Sequence, residues 1–171
     1  MREWIPLSTS PKGRLALTAV REFGARPYET VTVGELAAAA GVTTGALYHH
    51  FESKLGLYAF VRTDVERRLL DRMEGAAAGA AGSVTAALLV GFDFAVSQAF
   101  TRLLGEPPAG EDDRLVAVLD ELAGSGPAPL GRVLAAAWRA AVLSVADGVP
   151  VEDARQALAA LRIDQPAQRG R

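Results

Sequence analysis

VTTGALYHHFESK, residues 42–54, is a compact run of small, hydroxylated, aromatic and basic residues entered through Gly41. Its reading depends on what precedes it. Residues 32–40, TVGELAAAA, offer Thr32 as an N-cap and Glu35, three residues on, as its capping-box partner, which satisfies two orphan amide donors of a helix start reciprocally. Val33, Leu36, Ala37 and Ala40 then recur at three- and four-residue spacing as an apolar stripe, and Gly41 supplies the left-handed conformation that closes the helix. A second short helix follows at once. Thr43 or Thr44 caps it, Ala46, Leu47 and Phe51 form its buried side, and Thr44, Gly45, Tyr48 and His49 are left facing outward. Helix, glycine turn, short helix is the helix-turn-helix plan.

A helix that reads DNA needs small residues at its N-terminal end, where the backbone approaches base edges, and donors along its flank for phosphates. Thr43, Thr44 and Gly45 are small; Tyr48, His49 and His50 are donors with planar bodies; Lys54 stands at the start of the next helix beside the candidate cap Ser53. The competing reading makes Tyr48 and Phe51 plain core aromatics and the histidines incidental. The helices on either side favour the first.

On these residues the sequence resembles the DNA-binding helices of the TetR/AcrR family of bacterial regulators, over residues 11 to about 61. The order that carries the resemblance is Thr32, Ala37, Gly41, Thr43 to Gly45, Leu47, Tyr48, His49, His50, Phe51 and Lys54. The resemblance implies that Tyr48, His50 and Lys54 hold phosphates, with Thr32 at the same surface, while Gly34, Thr44, Gly45 and His49 lie nearest the bases. Gly34 stands where many relatives carry a longer side chain, so weak base reading is expected from the first helix of the pair.

Working outward, 171 residues with 50% hydrophobic content support a substantial core. Without cysteine there is neither a disulfide framework nor a thiolate metal site, and no cofactor or metal is expected. No apolar run is long enough for a membrane helix and residues 1–10 lack a signal-peptide core, so a cytoplasmic protein without a membrane partner is expected. The net charge of −2 runs against a nucleic-acid binder, but its distribution is uneven. Residues 1–72 hold ten Arg or Lys against eight Asp or Glu, and residues 73–171 hold eight against twelve. A head at +2 is a weak electrostatic footprint and predicts a moderate salt dependence.

Before the helix pair, Ser10 caps a helix with Pro11 at its first position, and Leu15, Ala16, Ala19, Val20 and Phe23 give its stripe up to Gly24. Arg14 and Arg21 share a face and either reach the DNA backbone or are solvated. Residues 1–9 form an arm that is disordered or packs on the body. Beyond Lys54, Leu55, Leu57, Tyr58, Val61, Val65, Leu69 and Met73 mark a long helix of about five turns. Its other face, with Arg62, Asp64, Glu66, Arg67, Arg68, Asp71 and Arg72, reads as solvated ion pairs. GAAAGAAG, residues 75–82, carries three glycines at about 1 kcal/mol each relative to alanine and is expected to end that helix in a pliable joint.

Residues 83–104 read as one long apolar helix in which Asp93, between Phe92 and Phe94, either anchors a ligand, pairs with an arginine such as Arg139, or stands at the helix edge. Asp112 and Asp113 are expected to cap a helix over 114–123, and helices follow at 130–146 and 151–162, the last with Val151, Ala154, Leu158 and Leu161 on one side. The expected organisation is all-α: a helix-turn-helix domain with its arm over 1–54, a helical regulatory and dimerisation domain over 55–163, and a disordered tail over 164–171. Phe92, Asp93, Phe100 and Trp138 are the expected pocket residues. Leu134, Ala137, Ala141, Val145, Leu158 and Leu161 are the expected dimer contacts.

What the resemblance implies is a ligand-responsive transcriptional regulator, most often a repressor, binding a pseudo-palindromic operator as a homodimer and released by a small-molecule effector of unknown identity. A ligand-insensitive DNA-binding or architectural protein is the alternative. An enzyme is disfavoured, because both histidines lie in the recognition segment and no nucleophile, base and orienting group fall into a pattern.

Overall fold

A computed structural model describes residues 9–108, 112–124, 126–127, 129–161 and 163. Residues 1–8 of the expected arm over 1–9 and the expected tail over 164–171 lie outside them, as does part of the acidic loop before Asp112. Among the described residues the chain is all-α: α1 (Pro11–Ala25), α2 (Val33–Ala40), α3 (Thr44–Phe51), α4 (Lys54–Gly79), α5 (Val84–Ser97), α6 (Thr101–Gly105), α7 (Arg114–Ala123), α8 (Leu130–Ala146) and α9 (Val151–Ala159), with a 3-10 turn at Tyr28–Thr30. The N-terminal helices α1 to α3 form a head. Leu15, Ala19, Phe23, Leu36, Leu47 and Phe51 build its core, and α4 continues from it into a body made with α5 to α9.

Each head helix begins at the residue its local chemistry dictates. The Ser10 side chain accepts from the Gly13 amide at 3.0 Å with Pro11 at N1. Thr32 and Glu35 close the capping box, at 2.8 Å from the Thr32 amide to the Glu35 carboxylate and 3.2 Å from the Glu35 amide to the Thr32 hydroxyl. Thr43, rather than Thr44, caps α3 at 3.2 Å from the Ala46 amide. The α3 to α4 turn is tighter than glycine and proline content suggests. Glu52 takes φ 65° there, and Gly56 packs so closely on the Phe51 carbonyl that a Cβ would collide with it.

The body departs from the sequence expectations in four places. Helix α4 runs on through Gly75 to Gly79 and turns only at Ala81 and Gly82, with φ of 54° and 84°. Burial of Met73 and Ala77 against the body holds that last stretch helical despite its glycines. The face expected to be solvated is partly internal. Arg62, Asp64 and Glu66 are buried; Arg62 donates to the carbonyls of Leu103 at 2.6 Å and Glu106 at 2.7 Å, and Asp64 holds Arg67 at 2.7 Å and Arg68 at 2.9 Å.

The single helix expected over 83–104 breaks into α5 and α6 at Ala99, where φ is 56°. Gly24 of α1 lies against the Ala99 carbonyl with no room for a Cβ, so the break is where the head docks on the body. Finally, Leu134 and Leu158, expected at a dimer interface, are core residues, whereas Val151 and Leu161 are exposed. Helix α9 is too short to bury more than Ala154 and Leu158. No helix of the described residues is long and apolar enough to cross a membrane.

Candidate nucleic-acid interface

Helix α2 ends at Gly41 with φ 63° and its amide on the carbonyls of Ala37 and Ala38, which throws the chain into α3 after two residues. The outward face of α3 then carries Thr44, Gly45, Tyr48 and His49, all exposed, with Thr43 exposed at its cap and His50 half-buried. Tyr48 leaves 53% of its surface in solvent, a large amount for an aromatic residue with nothing covering it. The two imidazoles lie edge to face with centroids 4.9 Å apart. Thr32 and Gly34 are exposed at the start of α2.

The two glycines are informative by what surrounds them. A Cβ on Gly34 would meet nothing within 4 Å, and one on Gly45 would meet only the Thr43 hydroxyl at 3.7 Å, an ordinary contact. Neither takes a positive φ. Glycine in helical backbone costs up to about 1 kcal/mol relative to alanine, and nothing inside this chain requires it at either place.

The structure moves one expected phosphate contact inward. Lys54 donates from Nζ to the carbonyls of Tyr28 and Val31, both at 2.9 Å, and its ammonium lies 3.9 Å from the Tyr28 ring centroid. A cation in the first turn of α4 faces the positive end of the helix dipole, and those two carbonyls offset it. Sequence spacing places Lys54 near α3 but gives no sign of the loop that captures it. Arg14, read as reaching DNA or solvent, is half-buried and tied to the head: its guanidinium holds the carbonyls of Ala40 at 3.0 Å, Thr9 at 2.7 Å and Gly41 at 3.5 Å, fastening the turn between α2 and α3. Arg21 stays exposed beside Glu22. Lys12, which the sequence did not single out, lies over the rings of Phe51 and Phe60 at 5.7 and 5.2 Å.

Electrostatics in the head is mild. The Glu35 carboxyl is held below its usual range by the Thr32 hydroxyl and amide and by Arg26 at 3.1 Å. Burial pushes the Tyr28 and Tyr58 phenols up, where their rings pack with Phe23.

In the body the expected pocket residues do not gather. Phe92 and Trp138 are fully buried, Trp138 donates from Nε1 to the Leu88 carbonyl at 3.1 Å, and Phe100 packs edge-on against Phe94 at 5.6 Å. Asp93 stands at the surface, forked by Arg155 at 2.8 and 3.1 Å rather than by Arg139. Arg139 instead forks Asp113, the N-cap of α7, at 2.6 and 2.8 Å. A groove of about 870 Å³ lies between α7 and α8, with Asp113, Arg114, Asp120, Arg132 and Arg139 among its walls. Among the described residues no three His, Asp or Glu side chains converge on a metal-sized site. Of the expected dimer contacts, Ala137, Ala141 and Val145 are half-buried on α8.

A short exposed helix with threonines and an unneeded glycine at its start, propped by a capped helix across a left-handed glycine, defines a helix-turn-helix DNA-binding protein. Residues 17–60 match the family described as "Bacterial regulatory proteins, tetR family", the family that the sequence of the head resembles. A crystal structure of a tetR-family transcriptional regulator from Streptomyces coelicolor shares the fold, with a TM-score of 0.55 and 23% identity over 86% of this chain and 77% of that one. No curated protein matches the chain.

Proposed function

We propose that the chain is a cytoplasmic, homodimeric transcriptional repressor whose head, residues 1–54, reads one half-site of a pseudo-palindromic operator, and whose body, residues 55–163, pairs two copies and answers to a small-molecule effector. The observation that carries the reading of the head is Gly45. It is exposed, helical and free of internal contact that would require glycine, which fits a backbone that must lie against a partner. Thr43, Thr44, Thr32 and Gly34 share that surface, and Tyr48, His49 and His50 flank it as donors. Lys54 acts behind it, holding the loop that supports α3.

Pairing is supported by the outer stripe of α8, where Val133 is 57% exposed and Ala136 and Ala140 follow at helical spacing. Small residues there allow close helix packing across a two-fold axis. The α7 to α8 groove falls within the range of about 300–1,000 Å³ usual for ligand sites and is the place we assign to the effector.

The test is fluorescence anisotropy on the duplex immediately upstream of the protein's own gene, with excess unrelated duplex present. Saturable binding at two subunits, or a multiple, per site is expected. Binding that the competitor abolishes argues against a sequence-specific dimer. A small molecule that both raises the melting temperature and releases the duplex would establish ligand response; a ligand-insensitive DNA-binding protein would show neither.

A further inference from the structure

The DNA-facing helix of this head carries no lysine or arginine at all. Around it, residues 9–60 supply five such cations against four glutamates, and the structure commits most of them internally. Lys54 is held by two carbonyls, Arg14 by three, and Arg26 by Glu35, Glu22 and the Thr30 carbonyl; Arg21 lies beside Glu22. Yet a protein holding DNA must neutralise phosphates. The chain has two histidines, and both stand side by side in the last turn of α3.

From this geometry, and resting on the reading of α3 as the recognition helix, we propose that His49 and His50 hold DNA phosphates as imidazolium cations, so that each head takes up protons as it docks. Imidazole is the side chain whose charge ordinarily changes between about pH 5 and 8, and a phosphate placed against it favours the cationic form. The surroundings permit it. Helix α3 packs on α1, α2 and α4. From α1 come Lys12, over the Phe51 ring, and Arg14, Arg21 and Glu22, engaged as above. From α2 comes Glu35, tied to Thr32 and Arg26, and from the start of α4, Lys54 on its carbonyls. Tyr48 precedes the pair and Glu52 follows it. Among the described residues neither imidazole has an ion pair or a hydrogen bond that a phosphate would have to displace.

Linkage then fixes the sign: a complex that holds more protons than its free components is strengthened as pH falls. The experiment is anisotropy of the full chain on its operator duplex at pH 6 and pH 8 and constant ionic strength, beside His49→Gln/His50→Gln, with melting curves at each pH. Unmodified protein should bind about tenfold or more tightly at pH 6, with a salt slope steeper by about 0.9 per phosphate newly held by an imidazolium. The double variant should bind more weakly than the unmodified protein at both pH values and show no gain in affinity between pH 8 and pH 6. Calorimetry of the unmodified protein in two buffers of different ionisation enthalpy counts the protons directly and does not depend on the variant folding. Equal affinity at both pH values with zero proton uptake would overturn the proposal while leaving sequence-specific binding intact. Absence of specific binding at either pH would instead remove the reading of α3 on which it rests.

Discussion

The head and the body solve one problem, how to begin a helix, by different means. In the head, Ser10, Thr32 and Thr43 each satisfy an amide three residues along. In the body, Ser53 and Ser83 cap α4 and α5 in the same way, but α6, α8 and α9 have no side-chain cap at all. The first turn of α8 is satisfied from another helix, by Asp120 accepting the Gly131 amide at 2.6 Å. Helix α7 has a cap, but Asp113 is shared with Arg139, 26 positions away. Arg62 ties α4 to carbonyls more than forty positions on. The head is thus assembled from local rules that suit a rigid reading surface, and the body from long-range bonds and apolar packing.

That contrast predicts where substitutions hurt. The largest loss belongs to the body: Trp138→Ala empties a fully buried site and removes the indole hydrogen bond to the Leu88 carbonyl, and should cost about 3–5 kcal/mol in urea unfolding. Arg139→Ala comes next. Arg139 is 9% exposed, and its loss leaves Asp113 without its fork in a largely buried place, for about 3 kcal/mol.

The same pair sets a pH dependence. Burial raises the Asp113 carboxyl, but Arg139 and the α7 amides outweigh it and hold it low. A carboxyl lowered in the folded state stabilises above its unfolded value and loses that contribution as pH falls through the folded one. Melting temperatures of the wild type and Arg139→Ala should therefore converge below about pH 4.

In the head the effects are smaller and local. Thr32→Ala opens the capping box and should cost about 1 kcal/mol. The smallest change in stability has the opposite sign: Gly45→Ala should stabilise the fold by up to about 1 kcal/mol while weakening operator binding, measured by melting and anisotropy on the same preparation. A Gly45→Ala protein that is more stable and binds undiminished would mean that the glycine serves no partner.

What was legible in the sequence follows the same division. Thr32, Glu35, Gly41 and Ser53 declare helix ends within three residues of themselves, and the structure has them as caps. Lys54 and Arg14 also belong to the head, yet their partners lie 23 to 27 positions away, so spacing showed two free cations where the fold has two internal ties. In the body, periodicity found the apolar residues but not which of them face inward. Leu134 and Leu158, expected at an interface, are core, and an alanine-rich helix such as α8 has apolar residues on every side. Ala99 carries no turn signal, and its positive φ falls where Gly24 of α1 packs on its carbonyl, a contact that local sequence does not show.

The central claim is that DNA is read by the locally built head and not by the charged groove of the body. Hydrogen exchange of the full chain, with and without its operator duplex, tests it most directly. Slowed exchange confined to the start of α2 and to residues 43–50 is the predicted result. Slowed exchange over α7 and the first half of α8, with residues 43–50 unchanged, would contradict it.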